Sequence, residues 1–183
     1  LTIYPASNCV HLVNPLSSDL NVMRQTLLFG GLESIAYNRN RKNNDIRFYE
    51  FGNCYFYDAD KKVEGETLKE YSEEFHLGLW LCGDSLNNSW ATADEQLTVY
   101  HLKGYVENVF LRLGLSYDKY KYEQFSDEIY QVALRIKTRN RELGTLGIVS
   151  KKILKETDIN TEVYFAELKW EELMKEVKKH SVL

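Results

Sequence analysis

The residues of this sequence best suited to metal binding or nucleophilic catalysis are its histidines and cysteines. They are His11, His76, His101 and His180, together with Cys9, Cys54 and Cys82. No two cysteines have Cys-x-x-Cys spacing, and no histidine has the short spacing from a second ligand that is typical of zinc sites. This spacing predicts no catalytic, cofactor-binding or metal-binding residue among them. It favours free, buried thiols in a reducing compartment, with a metal or catalytic role for one histidine as the alternative.

A carboxylate inside an apolar stretch is the next candidate for chemistry. Glu50 stands among aromatic residues, where burying its charge without a partner would be costly. The pattern therefore predicts a buried Glu50 with a charge-assisted partner, for which Arg24, Arg39 and Arg47 are the candidates. A catalytic role for Glu50 is the alternative interpretation.

Two short patterns admit both a ligand-binding and a structural interpretation. Gly144 and Gly147 could let a ligand approach the backbone, although glycines within a strand more often mark a bulge or close packing. Arg39, Arg41 and Lys42 form a compact basic cluster. We interpret this cluster as a solvated helix end, with contact to RNA or an acidic partner as the alternative. No phosphate-binding loop, dinucleotide fingerprint or nucleophile elbow occurs.

The first element that must position these residues is a helix. Ser17 or Ser18 is a suitable N-cap, and Asp19 is favourable in a first helical turn. The pair Gly30-Gly31 can interrupt or bend such a helix, since glycine costs up to about 1 kcal/mol relative to alanine there. An apolar stripe that ends in a cation follows helical spacing, through Leu28, Leu32, Ile35 and Arg39.

Strands account for most of the remaining pattern. Residues 46–57 are apolar or aromatic on both alternating faces, which predicts a strand covered on both sides in the middle of a sheet. Further strands are predicted at residues 9–13, 75–82, 120–125, 129–137, 142–149 and 162–168. Further helices are predicted at residues 102–113 (ended by Gly114), 151–156 and 170–179. The order predicts an α+β fold with a mainly antiparallel sheet flanked by helices.

Length and charge narrow the class of protein. A chain of 183 residues predicts a single domain spanning residues 1–183. The formal net charge of −4 opposes a principal nucleic-acid surface. No apolar run approaches the ~20 residues of a membrane span, and no signal peptide is recognisable, so a cytoplasmic protein is expected. Because the chain starts at Leu1, we also expect it to be a piece of a longer protein.

Three segments occur in an order that is specific to one family. Residues 14–52 combine Asn-Pro-Leu-Ser-Ser, an apolar helix ending in Asn-Arg, and Phe-Tyr-Glu-Phe-Gly. His-Leu-Lys-Gly-Tyr-Val-Glu then follows at 101–107, and Gly-Thr-Leu-Gly-Ile-Val at 144–149. This series resembles the class-II-synthetase-like core of bacterial phenylalanyl-tRNA synthetase beta subunits. The chain departs from that pattern at residues 129–132, which lack His-Pro-Gly, and at Ser150-Lys151, where His-Pro often follows the strand.

The resemblance implies that catalytic cations have been lost. In the catalytic alpha subunits of the family, the second class II motif carries an arginine that meets the ATP phosphate, and Phe56 takes its place here. The third motif, Gly-x-Gly-x-Glu-Arg, aligns without gaps to residues 167–172, so that Glu172 replaces the arginine. Adenylate formation requires cations around the triphosphate. We therefore expect no ATP or other cofactor to bind this domain.

What the resemblance implies about function is a non-catalytic, structural role. The domain would support assembly with the catalytic alpha subunit in an alpha2beta2 heterotetramer that joins phenylalanine to its tRNA with ATP and Mg²⁺. Contacts to tRNA-Phe would come mostly from other domains. The first class II motif would lie upstream of Leu1, so we expect an uncovered apolar seam and self-association of this chain. The alternatives are an active adenylate-forming ligase or transferase of the same fold, and a stand-alone RNA-binding module.

Overall fold

The computed structural model describes residues 3–17, 21–66, 68–84 and 96–181. The helices in these ranges are α1 (Leu28–Arg39), α2 (Val99–Arg112), α3 (Lys151–Glu156) and α4 (Trp170–Ser181). The strands are β1 (Ile46–Tyr57), β2 (Tyr71–Cys82), β3 (Lys121–Phe125), β4 (Tyr130–Lys137), β5 (Glu142–Val149) and β6 (Val163–Lys169). No helix in this described part of the chain is long and apolar enough to cross a membrane.

The strands form one six-stranded sheet in the order β1-β2-β6-β5-β4-β3. Every neighbouring pair in it is antiparallel. Strand β6 follows α3 in the chain and lies between β2 and β5. It therefore joins the N-terminal hairpin β1-β2 to the antiparallel strands β3-β4-β5. The predicted α+β class with a mainly antiparallel sheet is confirmed.

Helices cover both faces of this sheet. Trp80 and Phe165 pack with α1 and α3 on one face, which we call the α1 face. Leu81, Tyr164 and Leu168 pack with α2 and α4 on the other face. Strand β6 is buried on both sides along nearly all its length, so it is the central strand that a two-sided apolar pattern predicts.

Strand β1 has the predicted bounds but lies at the sheet edge, so its predicted central position is wrong. Its even-numbered side chains, such as Ile46 and Cys54, face the core under α1. On its other face Tyr49 is 72% exposed and Phe51 is 44% exposed. Aromatic side chains on both faces of β1 suggested that both faces would be covered. In the described part of the chain, helices cover mainly the face under α1.

The first helix starts later than predicted. It begins at Leu28, and residues 21–27 before it are not helical, so a cap at Ser17 is wrong. The other proposed N-terminal residues, Ser18 and Asp19, lie outside the described residues. The glycine pair does not interrupt the helix, and the predicted stripe is buried at Leu28, Leu32 and Ile35.

The predicted and observed ends of other helices and strands can be compared in the same way. Gly114 follows α2 with φ +83°, as predicted for a helix-ending glycine, and the amide of Leu115 donates to the carbonyl of Phe110 in a Schellman arrangement. Strand β2 begins four residues before the predicted start at residue 75. The predicted strand at residues 9–13 is only an isolated bridge between His11 and Val22.

Candidate functional site

A cavity of about 330 Å³ opens on the α1 face of the sheet, beyond the area that α1 and α3 cover. Its aromatic walls are Tyr4, Phe56, Phe125 and Tyr130. Its charged or titratable lining is Glu74, His76, Asp127, Arg135, Glu142, Glu167 and Lys169. Since this is where strands from both halves of the sheet meet, it is the candidate functional site.

At the base of the cavity, three strands bring together a thiol, an imidazole and a carboxylate. Cys54 comes from β1, His76 from β2 and Glu167 from β6. Their ligand atoms all lie within 4.8 Å of one another, and all three residues are buried. Oε1 of Glu167 lies 3.1 Å from Nδ1 of His76 and 3.7 Å from Sγ of Cys54. We call these three residues the buried triad.

The Glu167 carboxylate also determines where α1 begins. The hydroxyl of Thr26 donates to its Oε2 at 2.7 Å, and the amide of Leu27 donates to its Oε1 at 2.9 Å. The amide of Leu28 in turn donates to the Thr26 hydroxyl at 3.1 Å. A negative charge at a helix N-terminus interacts favourably with the helix dipole. Because the N-cap residue Leu27 has no capping side chain, this carboxylate from β6 and the Thr26 hydroxyl together bind the first amides of α1.

The charge state of the triad follows from its hydrogen bonds. Burial by itself lowers the pKa of His76, but hydrogen bonds to Cys54, Glu167 and Glu74 outweigh burial and raise that pKa to about 11. His76 is therefore an imidazolium that donates to Glu167 and, through Nε2 at 3.1 Å, to Glu74. The hydrogen bond from His76 lowers the pKa of Glu74, whereas burial raises the pKa of Cys54. As a neutral, buried thiol, Cys54 is not an activated nucleophile.

The two remaining cations of the cavity lie close to one carboxylate. Arg135 Nε lies 3.0 Å from the Glu142 carboxylate, and Lys169 Nζ lies 3.9 Å from the same group. The Arg135 guanidinium also lies 4.4 Å from the ring centroid of Phe125. Among the described residues that line the cavity, every cation therefore has a carboxylate close to it. Such a lining offers little to a triphosphate, which needs cations that are free to bind it.

The two segments aligned with class II motifs border this cavity. Phe56, which the resemblance aligns with the second-motif arginine, lines it. Glu167, which the resemblance aligns with the first glycine of the third motif, lines it too. Glu172, which the resemblance aligns with the third-motif arginine, pairs with Lys175 at 2.6 Å and with Arg141. These two cations lower the pKa of Glu172, which therefore stays ionised.

The other histidines and cysteines have different surroundings. His101 accepts the backbone amide of Thr98 in the capping box of α2. The side chain of His180 lies outside the described part of the chain. Cys82 accepts a hydrogen bond from Arg39 at 3.7 Å, and the three cysteines are free, as expected. Sequence spacing missed the triad because its members are 22 and 91 residues apart along the chain. Only the pairing of β1, β2 and β6 brings them together.

The predicted partner of Glu50 is confirmed, but its predicted burial is wrong. Nη1 of Arg24 lies 2.7 Å from the Glu50 carboxylate, and the two side chains are 41% and 39% exposed. The pair lies beside the outer edge of β1, where Arg24 also donates to the carbonyl of Asn53. An ion pair in this setting contributes about 0–1 kcal/mol.

The two glycines pack closely against neighbouring strands, as expected. A Cβ at Gly144 would lie 2.2 Å from the carbonyl oxygen of Glu167, next to a register shift in the β4–β5 pair. A Cβ at Gly147 would lie 2.1 Å from the carbonyl oxygen of Val132. In the basic cluster at the end of α1, Arg41 stacks on the ring of Tyr37.

The arrangement of the sheet defines the class of this domain. Two solved structures of pyrrolysyl-tRNA synthetase from Desulfitobacterium hafniense superimpose on it with TM-scores of 0.61 and 0.64. Each match covers 92% of this chain and 52% of the matched chain, at 15% sequence identity. The fold is therefore that of a class II aminoacyl-tRNA synthetase core.

Sequence comparison identifies the family within this class. Residues 3–170 match the family described as "Phenylalanyl tRNA synthetase beta chain CLM domain". Proteins named phenylalanine–tRNA ligase beta subunit are similar to this chain: 56% identical over 179 residues in Bacteroides fragilis and 41% over 183 residues in Porphyromonas gingivalis. The chain belongs to this beta-chain family. These matches cover 97–100% of this chain. The chain spans only 22% of the length of the relatives.

Proposed function

We propose that this chain is the non-catalytic, structural core of a phenylalanine–tRNA ligase beta subunit, and that it supports assembly with the catalytic alpha subunit. Membership of the beta-chain family and similarity to relatives named as beta subunits support this role. The class II fold supports it too, since such a fold without its catalytic cations retains its surfaces for association.

The lining of the cavity is the observation that carries the non-catalytic assignment. Phe56 and Glu167 line the cavity, and the resemblance aligns them with a cation and a glycine of the catalytic subunit. Arg135 and Lys169 share the single carboxylate of Glu142. A triphosphate entering the cavity would meet acidic groups and would have to break these ion pairs, so binding is strongly disfavoured.

The parent enzyme supplies the remaining chemistry in this proposal. It is an alpha2beta2 heterotetramer in the cytoplasm, in which the alpha subunit binds ATP and Mg²⁺ and joins phenylalanine to tRNA-Phe. The three free cysteines of the chain are compatible with that reducing compartment. Because the net charge of this chain is −4, tRNA contacts come mainly from other parts of the complex.

Calorimetric titration of the chain with Mg-ATP tests the non-catalytic assignment. We expect no saturable heat at ATP concentrations that saturate the complete alpha–beta ligase, which serves as the positive control. Stoichiometric, magnesium-dependent binding with a micromolar Kd would support the active adenylate-forming alternative and refute the assignment.

Assembly is tested separately, by co-purification with a tagged catalytic alpha subunit from the same organism. We expect the chain to be retained on the tagged subunit and not on resin that carries an unrelated tagged protein. Gel-shift titration of the chain alone with tRNA-Phe distinguishes the RNA-binding alternative. Tight binding that weakens steeply with salt, combined with no retention on the alpha subunit, would overturn the proposal.

A further inference from the structure

The buried triad offers three different metal-binding donors at one point. We propose that Cys54, His76 and Glu167 form a Zn²⁺ site, with sulfur, nitrogen and oxygen as the ligand atoms. A thiolate, an imidazole and a carboxylate are the ligand types that zinc accepts in proteins. All three side chains come from neighbouring strands of a rigid sheet, so the donors are positioned before any metal arrives.

The distances between the donors agree with tetrahedral zinc. Zinc–ligand lengths of 2.0–2.3 Å at a tetrahedral angle imply about 3.6 Å between sulfur and oxygen and about 3.4 Å between nitrogen and oxygen. The corresponding separations are 3.7 Å for Cys54 Sγ to Glu167 Oε1 and 3.1 Å for His76 Nδ1 to the same oxygen. The Cys54 and His76 donor atoms lie within 4.8 Å of each other, so all three donors can reach one ion after small side-chain movements.

The charges of the three ligands suit a divalent cation. A zinc-bound histidine is neutral and a zinc-bound cysteine is a thiolate, so the Zn²⁺ charge would be balanced by the Cys54 thiolate and the Glu167 carboxylate. A divalent cation held by two anionic ligands and one neutral ligand avoids the cost of burying an uncompensated ion.

The surroundings of the triad match the environment of known zinc ligands. Nε2 of His76 donates to the Glu74 carboxylate at 3.1 Å, which is the outer hydrogen bond that metal-bound histidines commonly make. The second carboxylate oxygen of Glu167 accepts the Thr26 hydroxyl. His76 and Glu167 both line the cavity, which gives the ion an entry path and leaves a fourth coordination position for water.

Cobalt substitution tests the site with a spectroscopic readout. We expect one equivalent of Co²⁺ added to the chelator-treated chain to produce a thiolate-to-cobalt charge-transfer band, which one equivalent of Zn²⁺ removes. Cys54→Ser should abolish the band. The matched control is Cys82→Ser, which changes another buried thiol that has no such cluster and should leave the band intact.

Zinc affinity measured by competition with a chromogenic chelator gives two further expectations. Because zinc ligands must be deprotonated, the affinity should rise with pH between roughly pH 6 and 8. The other titratable and charged groups that act on the triad are Glu74, Arg24, Tyr4 and Tyr130, and Lys169 acts on Glu74. Glu74→Gln, at a half-exposed position, should weaken binding 10- to 100-fold while the chain stays folded.

Two outcomes would overturn the proposal. One is a wild-type chain that remains folded, as judged by circular dichroism, and develops no charge-transfer band with excess Co²⁺. The other is a band that survives Cys54→Ser or disappears with Cys82→Ser. Each outcome is independent of the ATP and alpha-subunit experiments, so failure here leaves the proposed function standing.

Discussion

Glu167 joins more parts of this domain than any other residue of the buried triad. Its carboxylate accepts the Thr26 hydroxyl and the Leu27 amide before α1, and it also contacts Cys54 on β1 and His76 on β2. A buried carboxylate is tolerated because its acceptor sites are occupied. The same residue therefore links the start of α1 to the two strands that lie nearest the sheet edge.

Replacing this carboxylate should cost far more stability than replacing an exposed one. Glu167→Gln leaves the His76 imidazolium without its buried partner, so we expect a loss of about 3 kcal/mol in the free energy of unfolding. The matched control is Glu50→Gln at the half-exposed ion pair with Arg24, where we expect at most about 1 kcal/mol. Urea denaturation of both variants measures the difference. Equal losses for the two would mean that the triad does not hold the sheet and α1 together.

The raised pKa of His76 predicts how stability depends on pH. Its folded-state pKa of about 11 lies above the unfolded value near 6.5, so its charged interactions contribute fully below about pH 6.5. That contribution declines as pH rises toward 11, by up to about 1.4 kcal/mol per pH unit.

The comparison of wild type with His76→Gln isolates this effect. With chelator present to remove metal, the stability advantage of the wild type in urea denaturation should shrink from pH 7 to pH 10. An advantage that stays constant or grows over this interval would show that His76 is neutral in the folded chain.

At the scale of elements, α1 contains two adjacent glycines, of which one is required by close packing and the other only lowers helix propensity. A Cβ built at Gly30 meets no atom within 4 Å, whereas one at Gly31 would lie 2.1 Å from the indole of Trp80. Gly31 therefore allows the helix to approach β2 closely, and Gly30 is an exposed interior position with poor helix propensity.

Two alanine substitutions should have opposite effects. Gly30→Ala should stabilise the chain by up to about 1 kcal/mol, because alanine loses less backbone entropy in a helix. Gly31→Ala should destabilise it by about 1–3 kcal/mol, because Trp80 must move in a packed core. Thermal unfolding followed by circular dichroism measures both changes. Stabilisation by both substitutions would contradict the close contact between α1 and Trp80.

At the scale of the whole molecule, the outer face of β1 is the most open aromatic surface near the sheet edge. Tyr49 and Phe51 are exposed there, and Phe51 packs edge-on against Trp170. Along the outer edge of β1, Arg24 donates to the carbonyl of Asn53 and accepts from the amide of Tyr55. No other strand of the described part of the chain pairs with this edge. A long edge strand with exposed aromatic side chains favours association.

The isolated chain should therefore self-associate with a second copy through β1. Light scattering coupled to size-exclusion chromatography should show a mass that rises with concentration. Tyr49→Ser should raise the apparent dissociation constant about tenfold, since buried aromatic side chains dominate interface energies. The control Tyr100→Ser, at an equally exposed position on α2, should change little. A monomer at millimolar concentration would refute this expectation.

The local sequence pattern was sufficient to predict several strands and the buried side of α1. The alternation of residues 46–57, 142–149 and 162–168 predicted three strands that the structure confirms. The helical spacing of Leu28, Leu32 and Ile35 predicted the buried side of α1. These properties depend on neighbours within a few residues, because alternation in strands and spacing in helices follow from backbone geometry. The family resemblance rests on motifs of the same short range.

The buried triad and the edge position of β1 required the tertiary structure. Cys54, His76 and Glu167 become neighbours only when β2 pairs with both β1 and β6. The start of α1 at Leu28 likewise depends on a carboxylate 139 residues further along the chain. Which face of a strand is covered is decided by helices that pack from elsewhere in the chain, and no local periodicity carries that information.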